Sequence, residues 1–396
     1  MGKVRHASVT KSNERNTVSS LSRKTVAWAA GAALAVGGGT AGIVIAAQGG
    51  GQPATGGTAV AQAAAVRPAP LDLVSVSPVS LSQSAGAQAV NGAGTIVVTY
   101  NQPIPASAPL PQLSPATTGT WRRSGDVAIF TPAKGYAAGT HVTVTVAGLG
   151  YSRNRSESSS FKTAGYSTLR LQEILAQLGY LPLTWTPAAD AAAPGTSAAA
   201  QLSAAYTPPA GTFQWEQGYP ALLRSFWSQG VANTLDRGAV IGFEADHGLP
   251  IDGLAGTTVW QSLLTAAAKD QRNAHGYSYA IASKGSPERL SIWHDGRKVF
   301  SSLANTGIPA APTVDGTFPV YEKLPFQIMS GTNPDGSHYA DPVEWVSYFN
   351  GGDAVHYFSR GSYGYPQSLG CVELPYYSAK RAYPYLPYGT LVTVTA

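Results

Sequence analysis

The sequence predicts a multi-domain chain that is mainly β, with a small β-sandwich, a short helical segment and a β-rich C-terminal domain. Its 396 residues leave room for several ordinary domains, each able to bury a core. Apolar residues alternate with polar ones between residues 71 and 163, recur with a helical period from Ser167, and alternate again from Tyr277 onward. Because strands and helices have different side-chain periods, these changes of period indicate the domain boundaries.

The excess of basic residues is concentrated in a short N-terminal tail, residues 1–24. The formal net charge of the chain is +5. The tail contains one acidic residue, Glu14, and six basic ones: Lys3, Arg5, Lys11, Arg15, Arg23 and Lys24. The rest of the chain is balanced, so its composition gives no support for nucleic-acid binding, and we infer no nucleic-acid partner.

An uncharged segment, residues 25–47, follows the tail. It is rich in Ala, Gly and Val and is long enough to cross the hydrocarbon core of a membrane. Because basic residues precede it, the tail is expected to be cytoplasmic and the rest of the chain to lie outside the membrane. The segment is interpreted as a transmembrane anchor or a signal segment, since Ala61-Gln62-Ala63 offers a cleavage site; a buried core helix is the alternative.

A linker and a first β domain come next. Residues 48–70 consist mainly of Gly, Ala, Gln, Thr and Pro without a hydrophobic period, which is typical of a disordered linker. Residues 71–165 contain short alternating runs separated by Pro and Gly turns, the pattern of an antiparallel β-sandwich. The predicted strands cover residues 71–76, 95–100, 127–130 and 141–146.

Residues 166–268 show helical periodicity at both ends. Leu171, Ile174 and neighbouring leucines fall on one helix face, and Gly179 is a helix stop. A second helix is predicted over residues 237–246. The residues between them, 183–233, are interpreted as an insertion that begins with an Ala-, Pro- and Thr-rich loop and ends with a short helix.

Residues 275–396 return to the period of a strand. The predicted strands cover residues 277–282, 289–293, 298–302, 317–321, 345–349, 354–357 and 390–395, and Asp295-Gly296 is a hairpin signal. This domain contains His356 and, fifteen residues later, the single cysteine of the chain, Cys371.

Cys371 has no second cysteine with which to form an internal disulfide, although the chain is expected to enter an oxidising compartment. It is therefore a buried thiol, an intermolecular link or a nucleophile. A nucleophilic thiol needs a neighbouring imidazole to take its proton, and His356 is the candidate. Gly370 allows close approach of a substrate, amides near Gly370 and Cys371 would stabilise an oxyanion, and Ser368 would donate a supporting hydrogen bond.

These residues carry a family signature. His356 is followed by Ser368-Leu369-Gly370-Cys371-Val372. Two supporting segments, 313–321 and 345–356, precede the histidine, and the second ends at it. Together they resemble the L,D-transpeptidase catalytic domain of the YkuD type, whose signature is a histidine, a gap of about this length, and Ser-His-Gly-Cys before an aliphatic residue. The resemblance covers residues 275–396.

The two preceding domains also resemble modules found in such proteins. Residues 71–165 resemble the immunoglobulin-like modules that precede the catalytic domain in actinobacterial L,D-transpeptidases. The segments 171–181 and 242–263 resemble a three-helix peptidoglycan-binding domain, in which Trp260 would pack the last helix onto the first. An ordinary helical core explains the same apolar residues, so both interpretations of the helical segment stay open.

The resemblance implies acyl transfer in the cell envelope without a cofactor. Cys371 would attack the third residue of a peptidoglycan stem tetrapeptide and release D-Ala, while His356, oriented by the main-chain carbonyl of Tyr357, relays protons. An amine of a neighbouring stem would complete a 3→3 cross-link, whereas water would give an L,D-carboxypeptidase. Carbapenem-type β-lactams would be covalent inhibitors. The expected location is the extracytoplasmic face of the membrane, or the cell wall after secretion.

Two positions depart from the signature. Leu369 replaces its second histidine and can neither titrate nor form a hydrogen bond through its side chain. Glu373 stands where many members carry Arg or Asn, a change that would tune recognition of substrate charge. The alternative function is therefore a non-catalytic peptidoglycan-binding or anchoring protein with a degenerate catalytic domain.

Other candidate site residues have weaker support. Tyr339, Trp345 and Tyr348 are candidates for lining a substrate cleft, although aromatic residues of strand-rich domains commonly belong to the core. No metal site is predicted, because four histidines are scattered without ligand spacing: His247, His275, His294 and His338.

Overall fold

The computed structural model describes residues 70–78, 89–150, 153–191 and 194–396, which belong to one compact unit. The predicted tail, residues 1–24, and the predicted membrane or signal segment, residues 25–47, lie outside the described residues, as do positions 48–69 of the predicted linker. Within the described ranges, no helix is both long and apolar enough to cross a membrane. The described chain is mainly β, as the sequence predicts.

The first domain consists of two four-stranded sheets. Its strands are β1 (Leu73–Pro78), β2 (Ala89–Val90), β3 (Ile96–Tyr100), β4 (Gln112–Ser114), β5 (Gly119–Ser124), β6 (Val127–Pro132), β7 (His141–Leu149) and β8 (Arg155–Thr163). The strand orders are β1-β3-β6-β5 and β2-β8-β7-β4. Alternate residues of β3 and β7, among them Val98 and Val144, are buried in one core. The immunoglobulin-like character of this domain stays a prediction.

The second region contains helices and one strand pair. Its elements are α1 (Thr168–Gln177), β9 (Leu183–Pro187), α2 (Ala198–Tyr206), β10 (Gly211–Trp215), α3 (Ala221–Arg224), α4 (Thr234–Asp246) and α5 (Thr257–Lys269). The side chain of Asn233 caps α4 by accepting a hydrogen bond from the Asp236 amide at 3.1 Å. Gly179, at φ +79°, follows α1, where a left-handed residue ends a helix. A peptidoglycan-binding role for this region also stays a prediction.

The segment interpreted as a loop at the start of the 183–233 insertion contains regular structure. Strands β9 and β10 pair in antiparallel register, and α2 lies between them in the sequence. Leu183 and Trp185 are buried in the helical core, whereas the alternate residue Thr184 is exposed. Because the surrounding segment is rich in Ala, Pro and Thr, this short alternation does not stand out, and the strand pair corrects the loop interpretation.

The C-terminal domain combines a five-stranded sheet with a four-stranded sheet. Its elements are β11 (Ser278–Ser283), β12 (Arg289–His294), β13 (Arg297–Leu303), β14 (Gly316–Pro319), β15 (Glu322–Thr332), β16 (His338–Asn350), β17 (Asp353–Tyr357), β18 (Val372–Leu374), α6 (Tyr376–Ala382), a 3₁₀ helix (Tyr383–Tyr385) and β19 (Leu391–Thr395). The strand orders are β13-β12-β11-β19-β14 and β15-β16-β17-β18. Ile292 and Val392 of the first sheet share a buried core with Val355 and Val372 of the second.

Two hairpins of this domain differ in how well the sequence predicts them. Asp295 and Gly296 both have positive φ, +44° and +71°, as a tight two-residue turn requires, and they join β12 to β13 as expected. The longer β15–β16 hairpin is predicted only from Trp345 onward. Its outer part alternates between half-buried and exposed residues without a fully buried face, so it lacks the apolar period of a strand that packs on a core.

Candidate active site

The ladder between β17 and β18 places Cys371 and His356 on one side of their sheet. The two strands are parallel, and Val355 pairs with Val372 while His356 pairs with Glu373. Since the two valines enter the core, His356 and Glu373 face the opposite side, as does Cys371, two residues before Glu373. Cys371 and His356 both line a cavity of about 510 Å³ on that side.

His356 is buried and held in one tautomer. Its Nδ1 lies 2.9 Å from the main-chain oxygen of Tyr357, and because a carbonyl can only accept, Nδ1 carries the proton. In the neutral ring, Nε2 therefore has a free lone pair. Burial lowers the pKa of His356 below its usual value, opposed by the Tyr357 carbonyl and by Glu373. The imidazole is thus neutral at pH 7, and the Tyr357 carbonyl lies where the family resemblance implies, while its orienting role stays a prediction.

Cys371 is a half-buried free thiol. Its Sγ donates a long hydrogen bond, 3.7 Å, to the carbonyl oxygen of Gly352. Burial raises the pKa of Cys371 to about 12, and the carboxylates of Asp353 and Glu373 add to the rise. A thiolate is strongly disfavoured in this environment, so at rest the cavity holds a neutral thiol and a neutral imidazole.

Ser368 fixes the turn that presents the cysteine. Its Oγ donates to the carbonyl oxygen of Cys371 at 2.6 Å and accepts from the amide of Gly370 at 3.2 Å. The serine is therefore a positioning residue in this geometry. Because the Gly370 amide is committed to Ser368, the oxyanion role expected for that amide is not available without rearrangement of the turn.

Gly370 is required by its conformation and by the space around it. Its φ is +121°, a region that L-residues with a Cβ rarely adopt. A Cβ at this position would lie 2.3 Å from Oδ1 of Asp353. Gly370 is therefore needed because the cysteine turn packs closely against the Asp353 carboxyl group.

Asp353 and Arg360 are site residues that sequence reasoning missed. Asp353 opens β17 and lines the cavity, and burial raises its pKa to about 6. Arg360 donates to Glu373 through Nε at 2.8 Å and through Nη2 at 2.7 Å. The unusual acid at Glu373 was a signal for a nearby cation, whereas an aspartate three residues before His356 carries no recognisable sequence signal.

The remaining candidate residues divide between the cavity and the core. Leu369, Tyr339 and Tyr348 all line the cavity. Leu369 is half-buried there. Tyr348 donates its hydroxyl to the side-chain oxygen of Gln327 at 2.7 Å. Trp345 differs from the expectation, because its ring packs against Tyr383 and the core beneath α6, on the other side of the sheet.

Trp345 has an unusual backbone that explains its position. Its φ is +58°, and the register of β16 against β17 shifts between Glu344 and Ser347. Such a bulge re-aims the side chains that follow it, which strand alternation alone does not anticipate. In the described ranges, no group of three or more His, Cys, Asp or Glu residues is arranged to hold a metal ion.

The sequence match to a known family falls on this domain. Residues 278–394 match the family model of the L,D-transpeptidase catalytic domain, YkuD. The match includes both Cys371 and His356. A search of curated proteins found no match to the chain.

Several solved structures are similar to this chain at low identity. An L,D-transpeptidase from Mycobacterium smegmatis is 16% identical, with 83% of this chain and 100% of that chain covered and a TM-score of 0.29. L,D-transpeptidase 3 from Mycobacterium tuberculosis is 17% identical, with 82% and 98% covered and a TM-score of 0.28. The catalytic domain of the E. faecium L,D-transpeptidase is 26% identical, with 30% and 96% covered and a TM-score of 0.28. These TM-scores carry no argument about the chain, so the comparisons show the match of residues 278–394 to the family model of the L,D-transpeptidase catalytic domain.

Proposed function

We propose that this protein is a peptidoglycan L,D-transpeptidase that forms 3→3 cross-links through a thioester on Cys371. The observation that carries the proposal is that Cys371 and His356 line one cavity, inside a segment that matches the catalytic domain of this family. The Nδ1 of His356 is committed to Tyr357, which leaves Nε2 free to act as a general base.

In the first half-reaction, the Cys371 thiol gives its proton to Nε2 of His356. Sγ bonds to the carbonyl carbon of the third stem residue, and the bond from that carbon to the D-Ala nitrogen breaks as the imidazolium protonates the leaving amine. Since the pKa of Cys371 is raised to about 12, the free enzyme holds a neutral thiol, and proton transfer accompanies attack on bound substrate.

In the second half-reaction, an amine of a neighbouring stem attacks the thioester carbon and loses a proton to His356. The carbon–sulfur bond breaks, the thiol regains its proton, and the two third residues are joined. Water in place of the amine gives a free carboxylate, which is the L,D-carboxypeptidase alternative. Because Arg360 is paired with Glu373, the acids Asp341 and Asp353 leave the described lining negative, which favours substrates that carry an amine.

The competing proposal is a non-catalytic peptidoglycan-binding or anchoring protein. Leu369 supports it, because the family histidine is absent. Against it, the turn from Ser368 to Cys371 is held by the Ser368 hydroxyl without help from position 369. The catalytic proposal is therefore the one that the geometry supports better.

Release of D-Ala from a disaccharide tetrapeptide distinguishes the catalytic proposal from the binding proposal. We expect the purified protein to release D-Ala and to form a cross-linked dimer, and we expect Cys371→Ala to do neither. Intact mass after incubation with imipenem is a second test, since a solved L,D-transpeptidase structure is described in complex with imipenem. Equal D-Ala release by the parent protein and Cys371→Ala would leave only the binding proposal.

The proposed site of action is the outer face of the cytoplasmic membrane or the cell wall. This proposal depends on the charge pattern around residues 25–47 and on the cell-wall substrate of the family. A protease added to intact cells should digest the C-terminal domain if it is exported. Protection of that domain in intact cells, with digestion after lysis, would contradict the location.

A further inference from the structure

A second cavity, of about 520 Å³, lies between the helical region and the C-terminal domain. We call it the interface cavity. Its lining comes from α4, from the segment that leads into β11, from β15 and from the residues before β19; the residues used below are Tyr180, Gly238, Asp246, His275, Tyr277, Lys323, Tyr383, Gly389 and Thr390. Its described lining shares no residue with that of the Cys371 cavity.

Close backbone contact fixes the two sides of the interface cavity relative to each other. A Cβ on Gly238 would lie 2.6 Å from the carbonyl oxygen of Gly389, and a Cβ on Gly389 would lie 2.2 Å from that of Gly238. Gly389 also has a φ of +83°. Since α4 and the chain before β19 touch at two glycines, the cavity is preformed by a rigid contact.

The charged groups of this cavity differ in how well they are paired. Asp246 accepts a hydrogen bond from the Tyr180 hydroxyl at 2.8 Å and lies 3.2 Å from Nε2 of His275. Lys323 donates to the main-chain oxygen of Tyr383 at 2.9 Å and sits 4.1 Å from the centre of its ring. An ammonium group has three donors, and the ion pairs found among the described residues do not include Lys323.

Two hydroxyl groups of the lining are also without partners. The Thr390 Oγ1 and the Tyr277 hydroxyl are buried and have no hydrogen-bond partner among the described residues. Burial lowers the pKa of Lys323 to about 8, so a partner that is negatively charged would stabilise its charged form. A lysine with spare donors and an unpaired hydroxyl are the groups that bind a carboxylate.

We propose that the interface cavity binds a carboxylate of a peptidoglycan stem peptide, with Lys323 and Thr390 as its donors. The choice of ligand rests on the proposed function. Lys323 lies on β15, the strand that also supplies Gln327 to the Cys371 cavity. Lys323 bonds Tyr383, whereas its neighbour Leu324 packs with Cys371, so a stem bound here lies on the opposite face of the sheet from the thioester and occupies a second stem site.

Equilibrium binding to the full chain carrying Cys371→Ala tests the proposal without turnover. The probes are a disaccharide tetrapeptide and the same compound with its carboxyl groups amidated. We expect Lys323→Met to weaken binding of the acidic probe about tenfold or more, because a hydrogen bond between charged groups is lost. The amidated probe should bind weakly and equally to both proteins.

A second substitution separates binding from folding. Thr390→Val keeps the shape of the side chain and removes an unpaired hydroxyl, so we expect weaker binding with an unchanged or higher melting temperature. Lys298→Met is the matched control, since Lys298 is exposed and lines neither cavity. In proteins that retain Cys371, an unchanged rate of alkylation by iodoacetamide shows that the other cavity is intact.

Equal affinity of the acidic probe for Lys323→Met, Thr390→Val and Lys298→Met would overturn the proposal and leave a solvent-filled gap. This outcome is distinct from failure of the proposed function. If the acidic probe binds through Lys323 but the parent protein releases no D-Ala, the carboxylate site is supported and the transpeptidase function is rejected. If the parent protein releases D-Ala but all variants bind the acidic probe equally, the transpeptidase function is supported and the carboxylate site is rejected.

Discussion

Arg360 holds Glu373 through two parallel hydrogen bonds, from Nε to Oε2 at 2.8 Å and from Nη2 to Oε1 at 2.7 Å. The Glu373 side chain is only 5% exposed and lies on the side of the sheet that carries His356 and Cys371. The acid that departs from the family signature is therefore neutralised within the protein. Its effect on substrate charge is smaller than its position in the sequence indicates.

Arg360→Met should destabilise the fold and shift the pH profile. We expect a loss of about 3 kcal/mol in the free energy of unfolding, because a buried carboxylate loses its partner. Arg360 lowers and Glu373 raises the pKa of His356, so removing the arginine raises that pKa. The imidazole is then protonated at a higher pH. As the pH is lowered, the rate of acylation by imipenem should therefore begin to fall at a higher pH than in the parent protein.

The controls for this prediction separate charge from packing. Arg289→Met removes an exposed arginine that lies outside the Cys371 cavity and should change neither quantity. Arg360→Met combined with Glu373→Met removes both charges and should return the acid limb toward its original position. A pH profile of Arg360→Met that coincides with the parent profile would show that the ion pair does not act on His356.

Gly370→Ala should disable the cysteine turn. The new methyl group would collide with Asp353, and the backbone would have to hold an alanine at φ +121°. We expect destabilisation of about 1–3 kcal/mol from the backbone conformation, together with loss of D-Ala release. Gly361→Ala is the control, since a Cβ there meets no atom within 4 Å. Normal turnover by Gly370→Ala would mean that the turn is not held as described.

Ser368→Ala should slow acylation more than a substitution at Leu369 does. The serine hydroxyl bonds both the Cys371 carbonyl and the Gly370 amide, and its loss leaves both without that partner, at a cost of about 1–3 kcal/mol. Leu369→His restores the family histidine at a cavity-lining position that these bonds do not use. The rate of acylation by imipenem is measured for both variants. A larger change in this rate for Leu369→His than for Ser368→Ala would show that position 369, and not Ser368, positions the cysteine.

The pair of Cys371 and His356 could be predicted from the sequence because both belong to a local signature. Their relation depends on one parallel ladder between β17, which the strand period predicts, and β18, which it does not. The same reasoning anticipated the carbonyl of Tyr357 beside the histidine. Strands β3, β7 and β12, which pack on a core, were likewise predicted near their observed positions, because burial of one face imposes an alternating pattern.

The elements that the sequence did not reveal lack such a pattern. The outer β15–β16 hairpin has no fully buried face, and the β9–β10 pair has only a short alternation. Asp353 acts through space, because it touches Gly370 seventeen positions later in the chain. The position of Trp345 depends on a backbone bulge. Features that arise from tertiary contacts or irregular backbone are not encoded in periodicity.

Asp353→Asn should make the free thiol more reactive. The Asp353 carboxylate contributes to the raised pKa of Cys371, so replacing it by a neutral amide lowers that pKa from about 12. A larger thiolate fraction follows at about pH 9, near the ordinary pKa of a thiol, and iodoacetamide should alkylate the variant faster than the parent. Asp341→Asn is the matched control, because Asp341 lines the same cavity but is not among the groups that shift the thiol.

The same substitution should change how stability depends on pH. Burial raises the pKa of Asp353 from 3.8 to about 6, so the folded state favours the protonated acid. The parent protein therefore loses stability relative to Asp353→Asn as the pH rises from about 4 to about 6, and the difference is constant above that range. Urea unfolding of both proteins across this range measures the effect. A stability difference that does not vary with pH would show that Asp353 ionises as it does in the unfolded chain, and its proximity to Cys371 would then have to act through packing alone.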